Sequence, residues 1–334
     1  TRQTGQRVRG GAMLTVPLAG YVAAGAVGAV ATVTAVNPAA TGYLTAWPCG
    51  ARMPWASVLN TTQGRNTPNS VHVRLDPQQR LCVYASVDTD VLVDVTGSYH
   101  AAATAGLHVV PPTRVANTTM SPGAPLAAGS TMVVVVADTA GVPAAGVDAV
   151  TLTVSVSAAA AKGWVTVWPC GQAMPVASTA NYVAGDSVAN SATVPLGAAG
   201  AVCVYTSAST HLAVDVAGWW DEAGLPARMA VSQRALETRT GPKPGAGSVV
   251  PVALADLVPS GATAVIANIT TVQPGATGAV QAWDCTTAGD GVTVVAGSGV
   301  NRAGVAAVAL SAESNVCLTT AVAAHLLLDV MVTF

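Results

Sequence analysis

The chain has 334 residues, enough for two or three domains, with 51% hydrophobic residues, only 9% charged residues and a net charge of -2. Soluble proteins carry roughly 25% charged residues, so this surface must be built mainly from Ala, Thr, Ser and Gly, which suits an assembled, displayed or secreted protein better than a free cytosolic one. Two lysines and twelve arginines leave no basic stripe for phosphates, which excludes nucleic acid as a partner.

The chain opens at Thr1-Arg2 without Met or a recognisable signal peptide, as a mature or processed chain would. Residues 19–36 form an uncharged stretch long enough to cross a membrane. Its counterparts later in the chain contain Asp138, Pro143 and Asp148, and then Asp256 and Pro259, residues that do not sit in lipid. The expectation is a chain that does not span the membrane. The final Phe334 matches Tyr99 and Trp220 at the ends of earlier segments, so it belongs to a repeat rather than to an outer-membrane strand.

That repeat is written most clearly in "GYLTAWPCG" (42–50), "GWVTVWPCG" (163–171) and "GAVQAWDCT" (278–286). A second cysteine follows each after 33, 33 and 32 residues, and twelve residues further on stands Asp94, Asp215 or Asp329. Three copies of one unit are expected, over 1–100, 101–222 and 223–334. Pairing the cysteines within each copy, Cys49 with Cys82, Cys170 with Cys203 and Cys285 with Cys317, is one of 15 connectivities and the one that keeps each unit self-contained. The alternative is six reduced core cysteines. Zinc has no close-set ligand pair to use, and no cofactor or metal is expected. Disulfides would imply an oxidising compartment.

Within each copy the hydrophobic pattern has period two, as in "AVATVTAV" (29–36), "SVHVRL" (70–75) and "DVLVDV" (90–95). Seven or eight short strands in about 110 residues is the size of a two-sheet sandwich with a bridge and a tryptophan in its core. The expected fold is therefore all-β, three tandem β-sandwich domains of immunoglobulin-like or jelly-roll-like type, stacked in line or around a pseudo-threefold axis. Aligning Arg114 with Arg234 and Thr118 with Thr238 brings Thr1 to the same column, so the first copy starts late and its N-terminal strand is missing. The run "MPVASTANYVAGDSVANSATVPLGAAGAVCVYTSASTHLAVDVAGWW" (174–220), preceded by Trp-Pro-Cys-Gly, resembles a repeat of secreted and cell-wall-associated actinobacterial proteins that often stands beside peptidoglycan hydrolase or protease domains. The resemblance implies a secreted or cell-surface location and an accessory role, and it brings no catalytic residues with it.

His211 and Asp215, like His325 and Asp329, lie four apart and so on one strand face. The first copy has Asp90 in place of the histidine and no nucleophile recurs beside the pair, so a structural role is expected and no catalytic residue is assigned. Trp47, Trp168 and Trp283 alternate with the cysteines and are expected to pack on the bridges. Trp55, Trp164, Trp219 and Trp220 vary among copies and are candidates to stack on a sugar ring. Asn60, Asn69, Asn181 and Asn190 are read as turn residues and as candidate ligand contacts. "NTT" at 60 and 117 and "NIT" at 268 match the glycosylation sequon. The functional expectation is a non-catalytic structural or interaction protein of an extracellular assembly, whose partners are other protein chains that could complete the first copy by adding a strand. The alternatives are a carbohydrate-binding module for cell-wall or host glycan, and a hydrolase with an unrecognised site.

Overall fold

Period-two patterning becomes 23 strands in the computed structural model, which describes residues 5, 7–120 and 123–334. The first third of the chain contains β1 (Ala12–Pro17), β2 (Ala26–Val36), β3 (Gly42–Pro48), β4 (Leu59–Thr61), β5 (Thr67–Arg74), β6 (Arg80–Ala85) and β7 (Asp90–His100). The second contains β8 (Gly106–Asn117), β9 (Ser130–Val135), β10 (Ala149–Ser157), β11 (Gly163–Pro169), β12 (Ala180–Tyr182), β13 (Val188–Pro195), β14 (Ala201–Thr206) and β15 (His211–Asp221). The last contains β16 (Arg228–Glu237), β17 (Val249–Ala253), β18 (Ala264–Val272), β19 (Gly278–Trp283), β20 (Val294–Ala296), β21 (Arg302–Ala309), β22 (Asn315–Thr320) and β23 (His325–Thr333). No α-helix occurs among the described residues, and none is long and apolar enough to cross a membrane.

The strands form six antiparallel sheets. Three have the orders β1-β6-β3-β4, β9-β14-β11-β12 and β17-β22-β19-β20; the others are β5-β2-β7, β13-β10-β15-β8 and β21-β18-β23-β16. In each third the strands of both sheets contribute to one apolar cluster. Leu44, Leu81 and Val33 fill the first core, Leu152, Val204 and Val214 the second, and Ile269, Leu318 and Leu326 the third. The central strands β2 and β18 are buried along nearly their whole length. Their second face is covered too, as expected for strands that read as continuous apolar runs.

What covers that face corrects the expectation of three tandem β-sandwich domains. The six sheets stand as the blades of a six-bladed β-propeller with three disulfides. The equivalent strands β5, β13 and β21 lie against one another at its centre. A fourth apolar cluster joins Val30 and Tyr99 to Leu107 and Trp220 and to Ile266 and Phe334, drawing on all three thirds of the chain. Period two states that a strand has a buried face; it does not state which sheet lies on it, and here part of the burial comes from the other thirds of the chain.

The three bridges are Cys49–Cys82, Cys170–Cys203 and Cys285–Cys317, and no cysteine is free. In each, the tryptophan two residues before the first cysteine stands opposite the second cysteine across a strand pair: Trp47 opposite Cys82, Trp168 opposite Cys203 and Trp283 opposite Cys317. Thr1 and its proposed match to Thr118 and Thr238 lie outside the described residues. The sheet of the first third that pairs with this region has three strands where its sisters have four, because no described strand occupies the place of β8 and β16 beside β7.

Candidate functional site: the junction cleft between the first and second thirds

A cavity of about 680 Å³ opens between β4 and β5 of the first third and β11 to β13 of the second. Trp164, 46% exposed, stands on its wall, with Asn60, Asn181 and Asn190 nearby. Asn60 faces Tyr43 across β3 and β4, and Asn181 faces Trp164 across β11 and β12. The Oδ1 atoms of Asn60 and Asn181 are buried without a protein partner, which leaves each able to accept a hydrogen bond from a bound group.

The cleft also holds the charged junction of the whole chain. Gly64 and Gly185 have left-handed backbone, φ 70° and 76°, a conformation that favours glycine. The next residues, Arg65 and Asp186, therefore occupy equivalent positions with opposite charge. Their side chains pair, and Arg302 from the third copy binds both the Ser187 carbonyl and, at 3.4 Å, Asp186. Burial, reinforced by the nearby Arg65 charge, lowers the basicity of the Arg302 guanidinium against the pull of Asp186. One ion cluster thus ties the three copies together. The sequence reading missed it, although the charge reversal between aligned Gly-Arg and Gly-Asp was visible.

The eight candidate ligand residues separate clearly. Trp164, Asn60, Asn181 and Asn190 line the cleft. Asn69 lies next to it at the propeller centre, where its Nδ2 donates to Val58 O at 2.6 Å and to Asn268 Oδ1 at 3.0 Å. Asn190 also turns its amide inward: Nδ2 donates to Thr179 O at 2.7 Å, and Oδ1 accepts from the Ser70 amide at 3.2 Å. All four asparagines are strand residues, in β4, β5, β12 and β13, which corrects their reading as turn residues. β4 and β12 have three residues each, too few to show a period, and the buried amides satisfy backbone carbonyls that a turn would have left to solvent.

The remaining tryptophans stand elsewhere. Trp220 is buried, donates from Nε1 to Thr151 Oγ1 at 2.9 Å, and meets Tyr99 and Phe334 edge-on. Trp219 stacks on His108 at 4.8 Å. His108 in turn bonds Asp221 at 2.7 Å; burial pushes this carboxyl up, and the His108 and backbone hydrogen bonds outweigh it and hold it below its usual range. Trp55 is 89% exposed on the loop after β3, far along the chain from the Trp164 wall.

The histidine–aspartate pairs are separately engaged. His211 Nδ1 lies 3.1 Å from Thr118 O and His325 Nδ1 3.1 Å from Thr238 O. Asp215 accepts from Arg114 Nε and, at 3.0 Å, from Arg114 Nη2 and the Val292 amide. Asp329 accepts from Arg234; burial raises its pKa in spite of that arginine. Both carboxylates are fully buried and paired, as charge in a low-dielectric interior requires. Among the described residues no cluster of three or more His, Cys, Asp or Glu could hold a metal ion.

No family model and no curated protein matches the chain. Among solved structures, a chain of the Sulfolobus turreted icosahedral virus aligns at 10% identity over 98% of this chain and 85% of its own, with a TM-score of 0.22. An archaeal-virus protein described by its triple jelly-roll fold and turret assembly aligns at 10% identity over 97% and 84%, TM-score 0.19. The N-terminal CBM22-1-CBM22-2 tandem domain of Paenibacillus barcinonensis Xyn10C aligns at 12% identity over 67% and 98%, TM-score 0.20. At such TM-scores these likenesses carry no argument about this chain.

Proposed function

We propose that this disulfide-stapled chain is a non-catalytic structural or interaction subunit of a larger extracellular assembly. Its three bridges favour an oxidising compartment. The observation that carries the reading is the outer rim. Strands β1, β9 and β17 are equivalent edge strands, and each turns apolar side chains outward: Met13 from the first, Val133 and Val135 from the second, Val249 from the third. An edge strand with exposed aliphatic side chains and no charge is a template for association; Pro17 and Pro251 blunt β1 and β17, and β9, which has neither proline nor charge, is left as the open edge. The resemblance of 174–220 to cell-wall-associated repeats supports the same surface setting.

A second reading, glycan binding at the junction cleft, is favoured by one feature: Trp164 beside the unpartnered Oδ1 atoms of Asn60 and Asn181. Light scattering on material purified from the native source tests both. A stable complex with further polypeptides supports the assembly reading. A monomer that retains defined sugars on a glycan array, and loses them on Trp164→Ala, replaces it with the second.

A further inference from the structure

Three turns meet where the central strands begin. They join β4 to β5, β12 to β13 and β20 to β21, and β5, β13 and β21 are the sheet edges that lie against one another at the centre. Their charges do not balance. Arg65 and Arg302 share one carboxylate, Asp186, whose Oδ2 also accepts from the Val183 amide at 3.0 Å. Lys162, an exposed residue, lines the same cavity, and no second acidic residue does. Three cations thus face one anion, in a chain whose net charge is -2.

Hydrogen bonding at the turns is as lopsided as the charge. Both Asp186 oxygens are taken, and Arg302 spends Nη1 on the Ser187 carbonyl and Nη2 on Asp186. Arg65 uses Nη2 alone, which leaves its Nε and Nη1 without a partner among the described residues. Asn66 and Asn301 hold equivalent positions in their turns: Asn66 Oδ1 accepts from the Asn37 amide at 3.0 Å, and Asn301 Oδ1 from the Gln273 amide at 2.9 Å. With each oxygen fixed on backbone, each Nδ2 is turned away from it and donates to no described residue. Spare donors, with every carboxylate oxygen already engaged, describe a place for an anion.

The cationic groups are held in position. A Cβ on Gly297 would stand 2.7 Å from Arg302 Cζ, so the missing side chain there is what admits the guanidinium. The side chains of Arg65 and Arg302 are 25% and 14% exposed, sheltered enough for charge to count and open enough for a ligand to reach Arg65. Burial lowers the basicity of Arg302 against the pull of Asp186, and the Arg65 charge adds to it; an incoming anion relieves both. The planar fork of Arg65 matches a carboxylate. On the wall of the same cavity, the exposed face of Trp164 offers an apolar surface to a ring.

We propose that the junction cleft takes an acidic sugar, its carboxylate held by Arg65 and Asn66 beside Arg302 and its ring set against Trp164. This deepens the glycan reading of the cleft and rests on it. The cluster then has two tasks: it ties the three copies together, and its surplus positive charge selects the ligand.

Ligand-observed NMR on the intact protein, with methyl β-D-glucuronide, methyl β-D-glucoside and acetate as probes, tests this. The glucuronide should bind about tenfold more tightly than the glucoside, which differs only in lacking the carboxylate, and than acetate, which lacks the ring. Added salt should weaken the glucuronide alone among the two sugars. Arg65→Gln should remove the preference for the glucuronide. Asp186→Asn frees both arginines from a competing carboxylate and should tighten glucuronide binding about threefold, an outcome of opposite sign that a folding defect does not produce. Trp164→Ala should weaken the glucuronide and leave acetate unchanged. Weaker glucuronide binding by both Arg65→Gln and Asp186→Asn overturns the proposal, because the cluster is then structural only. Equal binding of glucuronide and acetate also overturns it. Equal binding of glucuronide and glucoside overturns it and leaves the glycan reading standing, whereas no binding of either sugar, with a blank glycan array, removes that reading as well.

Discussion

Asn69 of the first copy donates its side-chain amide to Asn268 of the third at 3.0 Å, across 199 residues of sequence and with both side chains about 1% exposed. Asn268 passes the bond on by donating to Ser57 O at 2.8 Å. The two residues lock copies together at the centre, where apolar packing alone would tolerate slippage.

Replacing Asn268 by Ala should therefore destabilise the protein by about 1–3 kcal/mol, because one Asn69 N–H keeps Val58 O while the other, and the Ser57 carbonyl, lose their partner in the interior. Asn117→Ala, at a half-exposed position where Oδ1 accepts only from the exposed Thr119 amide and hydroxyl, should cost less, about 0.5–1 kcal/mol, because water replaces those bonds. Urea unfolding of the two variants measures the difference.

The carboxylates at equivalent positions should respond in opposite ways. Arg114→Ala leaves Asp215 buried and uncompensated, with an expected loss of about 3–5 kcal/mol. Asp94→Asn removes an unpaired carboxylate and should leave the isolated protein as stable or more so near neutral pH. The sign follows from linkage: the folded state holds the Asp94 proton more tightly than the unfolded chain, so stability falls as pH rises above about 3.9. The advantage of Asp94→Asn should thus vanish in acid. Equal denaturation midpoints for the two proteins at all pH values would show that burial does not raise the Asp94 pKa.

His72, buried in β5 and 2.6 Å from the Tyr99 hydroxyl, is held neutral, its pKa lowered to about 3 by burial. The unfolded chain binds that proton near pH 6.5, so stability should drop as pH falls through the interval from about 6.5 to about 3. At pH 5 the loss amounts to about 2 kcal/mol relative to pH 7. His72→Gln should flatten most of this slope in chemical denaturation at pH 5 and pH 7.

Each bridge closes a loop of 32 or 33 residues. Replacing both cysteines of one pair by alanine should cost about 3–4 kcal/mol on the chain-entropy estimate. Thermal unfolding of the Cys170→Ala/Cys203→Ala double variant checks this, and full reduction should raise the intact mass by about 6 Da, two hydrogens per bridge.

What was legible in the sequence was whatever repeats locally. The Trp-x-Cys strands, the second cysteines and the aspartates twelve residues beyond them mark three copies, and alternation marks their strands, because a pleated strand exposes its two faces at period two whatever it packs against. The asparagines were not legible. Asn69 and Asn190 carry the residue type of a turn, and only contact with other copies makes a buried amide at those positions favourable.

The sequence by itself therefore determined an all-β chain with three cysteine pairs at separations of 32 and 33 residues, since these depend on residue type and spacing. The tertiary structure decided the closure of six sheets around a common centre, the Arg65–Asp186–Arg302 junction, the pairing of Arg114 and Arg234 with buried aspartates, and the burial of Asn268. Each of these joins residues from different strands or different copies, and their energies come from desolvation and charge at contacts that no local pattern encodes.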